Sequence, residues 1–105
     1  MKAVIFDWSQ LDRGSLQKLL FGNTEEILEA LKKNYFKVHD FPSIHDEEQL
    51  FNTLNLDDRR HLNYYERSMS TGDLAITDDS RILVCEFVGW KDITNIILGN
   101  QITLG

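Results

Sequence analysis

The chain has 105 residues, 42% of them apolar and 27% charged, with 17 acidic and 11 basic side chains and a formal net charge of −6. That length suits one domain with one core, and that apolar content is enough to fold it. The acidic balance argues against direct binding of nucleic acid, which needs a basic surface to neutralise phosphates, and against docking on anionic membranes.

No apolar run approaches the ~18–20 residues needed to span a bilayer, and Met1–Asp7 has no signal-peptide core. The single cysteine, Cys85, allows no intrachain disulfide and fits a reducing cytoplasm. Its setting in an apolar run makes it a small core hydrophobe rather than a nucleophile.

Taken in order, Ala3–Trp8 reads as a first strand closed by Asp7. Val-Ile-Phe-Asp resembles the first motif of haloacid-dehalogenase phosphatases. That motif needs a second Asp two residues on, where this chain has Ser9, and the chain is too short for that fold. Leu16, Leu19 and Leu20 have helical spacing, with Asp12 as N-cap and Gly22 as stop. A second helix over 24–33 carries the fullest set of signals. Asn23 caps it, Glu25 and Glu26 suit its first turn, Ile27, Leu28 and Leu31 form its stripe, and Lys32 and Lys33 suit its end. Glu29 and Lys33 form an i,i+4 pair. Tyr35–His39 reads as a strand ended by Phe41-Pro42. Ser43 or Asp46 then caps a third helix with Leu50, Phe51 and Leu54 inward.

Residues 65–88 hold the densest local signal: a hydroxyl-rich loop leading into a hairpin. Leu74 and Ile76 alternate with Asp73, Ala75 and Thr77, Asp78-Asp79-Ser80 is a turn, and residues 81–88 form an apolar strand covered on both faces. Gly89 breaks it. Lys91–Asn95 reads as a loop, Ile96-Ile97-Leu98 as a short strand, and the remainder as a tail. The expected fold is a single α+β domain over residues 1–105: a small, mainly antiparallel sheet including the 73–88 hairpin, with two or three short helices on one face.

Arg67, Ser68, Ser70, Thr71 and Asp73 crowd into seven positions. They read either as a small anion or partner site, or as side chains satisfying a tight turn with Arg67 tethering a carboxylate; the second is favoured. One glycine, Gly72, and no GxxxxGK[ST] argue against a phosphate loop. The arrangement Arg67-Ser68-Met69-Ser70-Thr71-Gly72-Asp73-Leu74, a polar turn, a strand, then Phe87-Val88-Gly89-Trp90-Lys91-Asp92-Ile93 resembles the YodL-like domain family. Those domains carry a GRSLSVSDVV segment, a strand and a DSFGFKEL-like ending. Glu66 stands here for the usual Gly, and Gly72 for a Ser. The resemblance covers residues 65–93. It implies no reaction. It implies the company of conjugative elements and phages of Gram-positive bacteria, often beside anti-restriction genes.

His39, His45 and His61 with Asp40 and Asp46 match no zinc spacing, so no metal and no cofactor are expected. No nucleophile elbow is present. The adjacent acids Glu25-Glu26, Glu47-Glu48, Asp57-Asp58 and Asp78-Asp79 sit at helix starts and turns, where capping explains them. Asp40, Asp46, Glu47 and Glu48 lie in a stretch without Lys or Arg and, with Asp57 and Asp58, form a candidate partner-binding patch. Such a patch can occupy the basic groove of a nucleic-acid-binding host nuclease.

Three functions follow. The first is a non-enzymatic counter-defence protein binding such a nuclease. The second is a structural or regulatory module of a conjugative element. The third is an enzyme with a site at Arg67, Ser70 and Asp73. A substrate-lined pocket beside the hairpin favours the third, and a flat acidic face the first.

Overall fold

The structure is a computed structural model and describes residues 1–9, 13–55, 64–102 and 104. Its elements in order are β1 (Lys2–Phe6), α1 (Arg13–Phe21), α2 (Thr24–Lys33), β2 (Phe36–Asp40), α3 (Glu47–Leu54), β3 (Leu74–Ile76), β4 (Ile82–Cys85), β5 (Trp90–Asp92) and α4 (Thr94–Gly99). The strands form one antiparallel sheet in the order β2-β1-β3-β4-β5. This is the α+β architecture that the sequence predicts.

Strand alternation sends side chains to two separate layers. Val4, Phe6, Leu74, Ile82 and Val84 meet Leu19 and Leu20 of α1, Ile27, Ala30 and Leu31 of α2, and Ile97 of α4. Ala3, Ile5 and Ala75 face the other way, toward Leu50 and Leu54 of α3 and toward Tyr64 and Met69. Three helices thus share one face, and α3 adds cover to the opposite one. Burying each large apolar side chain contributes about 1.5–3 kcal/mol, so a sheet this small gains from being covered twice.

The second helix forms where its signals place it. Asn23 Oδ1 accepts from the Glu26 amide at 3.0 Å while Glu26 Oε1 accepts from the Asn23 amide at 3.2 Å, a complete capping box. Ala30, not Leu28, completes its buried stripe. Glu29 pairs across to Lys18 of α1 at 3.0 Å. The α1–α2 corner is tight: a Cβ on Gly22 would meet the Lys18 carbonyl at 2.5 Å. Of the two caps proposed for α3, Asp46 takes the role, accepting from the Gln49 amide at 2.7 Å. The expected Asp12 cap lies outside the described residues.

The hairpin turn is Asp78-Asp79-Ser80, closed by Thr77 N–H donating to the Arg81 carbonyl at 2.9 Å, with Ser80 left-handed at φ 66°. The second strand stops at Cys85 rather than running to residue 88, because Glu86 N–H donates to the Gly89 carbonyl at 3.0 Å and closes a turn. Phe87 and Val88 are therefore on the surface, 77% and 91% exposed. Lys91 and Asp92, read from sequence as part of a loop, instead join Trp90 in the edge strand β5 (Trp90–Asp92). Ile96-Ile97-Leu98 is helical, not extended. Thr94 pins the start of that helix by accepting from the Ile82 amide at 2.8 Å, and only Ile97 of the three is buried.

Candidate functional site

Three features carry polar chemistry. The first is centred on Asp73, which immediately precedes β3 and is 0% exposed. Its Oδ1 accepts from the Phe6 amide at 3.0 Å and from Arg67 Nη2 at 2.8 Å; its Oδ2 accepts from Arg67 Nη1 at 2.7 Å and the Ser70 amide at 2.9 Å. The β1–β3 ladder ends at Val4 and Leu74, so this carboxylate takes the Phe6 amide just beyond the last ladder pair. Arg67 also donates to the carbonyls of Phe6 (2.7 Å) and Ser68 (2.9 Å) and to Ser70 Oγ (3.3 Å). The Tyr64 hydroxyl donates to the Arg67 carbonyl. Burial works against the guanidinium charge, but Asp73 outweighs it through hydrogen bonds and charge, and the pKa of Arg67 is raised. Gly72, at φ +95°, fits beneath this loop where a Cβ would meet Leu16 Cδ1 at 2.5 Å.

Bidentate Arg–carboxylate geometry with every oxygen hydrogen-bonded is the arrangement in which a buried ion pair offsets its desolvation. Both Asp73 oxygens already hold two donors each. The carboxylate therefore has no free lone pair for a metal or a substrate proton. Arg67, Ser68, Ser70 and Asp73 are brought together in one hydrogen-bonded loop.

The second feature is acidic. Asp46, Glu47 and Glu48 open α3, and Glu48 accepts from Trp90 Nε1 at 3.0 Å. The hairpin turn comes beside them: Asp78 accepts from His45 Nδ1 at 2.8 Å and from the Met1 ammonium at 3.0 Å. That ammonium also donates to the carbonyls of Phe41 and Ile44. Asp79 holds Arg81 Nε at 3.1 Å; that hydrogen bond first, and then the charges of Asp79, Glu47 and Asp92, raise the pKa of Arg81. Asp78, Asp79 and Asp92 lie below the ordinary carboxylate value, held there chiefly by hydrogen bonds from His45, Thr77 and Thr94 respectively. Three carboxylates, Asp79 of the hairpin turn, Glu47 of α3 and Asp92 of β5, thus act on one arginine. Asp40 lies on the edge strand opposite Lys2, apart from this group, and Asp57 and Asp58 lie outside the described residues. Sequence reasoning gave Asp78-Asp79 only a capping role. Their place at the tip of a hairpin was the available signal.

The third feature was not foreseen. A cleft of about 620 Å³ opens where β1 ends and β2 begins, walled by Phe6, Trp8, Tyr35 and Phe36 and rimmed by Lys37 and Glu66. Phe6 stacks on Trp8 with centroids 5.0 Å apart and meets Phe36 edge-on at 5.6 Å. Lys37 Nζ donates to Glu66 Oε1 at 2.9 Å, which raises the pKa of Lys37 and lowers that of Glu66. Trp8 Nε1 is buried without an acceptor among the described residues. The signal was present as Asp7-Trp8 after one strand and Tyr35-Phe36 at the start of the next.

Cys85 is buried, and burial pushes its thiol up to about 11, with Asp73, Glu48 and Glu86 adding to the shift. His39 lies edge-on to Tyr64 at 5.0 Å, and His45 pairs with Asp78, so these two histidines serve different neighbourhoods; His61 lies outside the described residues. Among the described residues no group of three His, Cys, Asp or Glu is placed to hold a metal ion, and no helix is long and apolar enough to cross a membrane. No protein-family model, curated protein or solved structure matches the chain.

Proposed function

We propose that the chain is a non-catalytic interaction protein that engages a basic protein surface through its acidic end. One observation carries this reading: Asp79, Glu47 and Asp92, from three separate elements, act on Arg81, and Glu48 and Asp78 are held next to these elements through Trp90 and His45. A field of that sign steers association with a basic groove and competes with nucleic acid held there. The resemblance over residues 65–93 to a family found on mobile elements and phages supports a host defence nuclease in the cytoplasm as the partner. A partner within a conjugative element would use the same surface. The cleft beside Arg67 is the observation that favours an enzyme instead. Against that, the carboxylate nearest Arg67 is fully engaged in holding the loop.

The test is a pull-down from bacterial lysate with tagged wild type and with Glu47→Gln/Asp79→Asn/Asp92→Asn, followed by mass spectrometry. Asp46 is spared because it caps α3. The reading expects nucleic-acid-binding proteins retained by the wild type, lost from the variant, and displaced by added DNA or RNA. Equal capture by both proteins, or loss of capture only when the cleft is altered, would refute it.

A further inference from the structure

We propose that the outer edge of β2, together with the aromatic cleft at its start, is a docking site for an extended, basic peptide segment of another protein, which adds to the sheet as a sixth strand. This site lies apart from the acidic end and does not rest on the reading given above.

Among the described residues β2 is an edge strand, with β1 on its inner side only. Asp7 N–H donates to the Tyr35 carbonyl at 2.9 Å, and Phe41 N–H donates to the Met1 carbonyl at 2.8 Å. In an antiparallel pair, main-chain groups point alternately toward and away from the partner. Tyr35, Lys37, His39 and Phe41 thus face β1, which leaves the amides and carbonyls of Phe36, Val38 and Asp40 facing outward. A row of this kind is a template for another strand.

The edge leads into the cleft. Tyr35, Phe36 and Lys37 belong to both, so a chain laid along β2 brings one side chain to a cavity of about 620 Å³ walled by aromatic rings. That volume takes an aromatic or other large apolar side chain. The buried, unpartnered Trp8 Nε1 offers a donor to an incoming acceptor.

Charge selects the occupant. At the cleft three carboxylates, Asp7, Glu66 and Asp73, share two cations, Lys37 and Arg67, an excess of one negative charge, and the exposed Asp40 stands further along the strand opposite Lys2. A basic segment complements them. A second copy of this chain does not fit. Pairing two β2 edges about Val38 sets Asp40 opposite Phe36, and the next large side chain, Phe41, is 4% exposed in its own core and cannot reach the cleft.

The experiment selects peptides from a random dodecapeptide phage library against the immobilised full chain, then titrates one synthetic winner by calorimetry. The proposal expects basic sequences with one aromatic anchor. N-methylating alternate peptide residues should weaken binding at least about tenfold for one alternating set and leave the other set unaffected, the mark of strand pairing. Asp40→Pro removes only an outward amide, which an edge strand tolerates, so binding should fall by about the same factor with melting preserved. Ser9→Trp, which crowds the cleft, should also weaken binding. The N-methyl series needs no change in the protein and decides the matter even if a variant misfolds. The proposal is overturned if no peptide is selected, or if both N-methyl sets bind alike. It is overturned equally if sedimentation shows the free protein dimerising through an edge that Asp40→Pro disrupts.

Discussion

At the scale of single residues, Arg67 and Asp73 decide whether the loop before β3 forms. Arg67→Ala leaves a carboxylate with 0% exposure facing two amides and no cation. Breaking a buried ion pair costs about 3–5 kcal/mol. The lower end applies here because the Arg67 side chain is 35% exposed. Urea denaturation should show this loss, and Arg67→Ala/Asp73→Asn should be less unstable than the sum of its two single variants, since the pair acts as a unit. If Arg67→Ala melts like wild type but loses partner binding, the motif is itself the interface.

His39 supplies a second residue-scale test. Burial lowers its pKa below the ordinary 6.5, and its Nε2 has no partner among the described residues. The unfolded chain therefore takes up a proton on His39 before the folded chain does. Stability falls as pH drops below about 6.5, the unfolded value. Asp78, Asp79 and Asp92, with folded pKa values below 3.8, add a further loss at lower pH, as unfolded carboxylates protonate first. Thermal melts between pH 7 and pH 5 should show a falling midpoint in wild type and a flatter curve in His39→Phe. Equal slopes would show that His39 is not the group responsible.

At the scale of elements, the two helix side-chain caps among the described residues invite comparison. Asn23→Ala and Asp46→Ala each remove an acceptor for a first-turn amide, worth about 1 kcal/mol, or about 4–8 °C in a domain near this size. Asp46→Ala should cost at least as much, because Asn23→Ala keeps the backbone N–H that donates to Glu26, whereas losing Asp46 also removes a negative charge from the start of α3. Elements of this kind were legible because their signals are local: caps, charged turns and periodicity over ten residues. β5 and α4 were not. Three residues, Trp90–Asp92, are too few to show alternation, and they are a strand only because Val84 and Cys85 stand opposite. Ile96-Ile97-Leu98 carries β-branched residues that favour extension, yet Asp92 and Thr94 anchor a helical turn there and Ile97 fills the core. In both places tertiary context overrides propensity.

At the scale of the whole molecule, the sheet separates two kinds of surface. The acidic end collects residues 46–48, 78–79 and 92, which no window of sequence contains together. Composition announced the charge, and only the antiparallel topology gathered it. The Arg67–Asp73 contact was legible because its members sit six residues apart in one loop. The cleft was not, since its walls come from the end of β1 and the start of β2, with two helices between them.

The order β2-β1-β3-β4-β5 has a further consequence. Everything up to Asn55 builds β1, β2 and three helices; everything from Tyr64 builds β3, β4, β5 and α4. The two stretches share one strand pairing, the seam of β1 against β3, with Ala3 opposite Ala75 and neither exposed, and both cores pack across it. Phe6 with Arg67 and Asp73 fastens one end of it, and Met1 with Asp78 the other. The protein is thus divisible into two complementing fragments. Residues 1–55 and 64–105, produced as separate polypeptides in one cell, should co-purify as a folded pair. Ala75→Glu in the second fragment should prevent this by forcing a charge into the seam. Fragments that reassociate regardless of that substitution would show that something other than the β1–β3 seam holds the halves together. Fused to the two parts of a reporter, such halves would turn reassembly of a five-stranded sheet into a measurable signal.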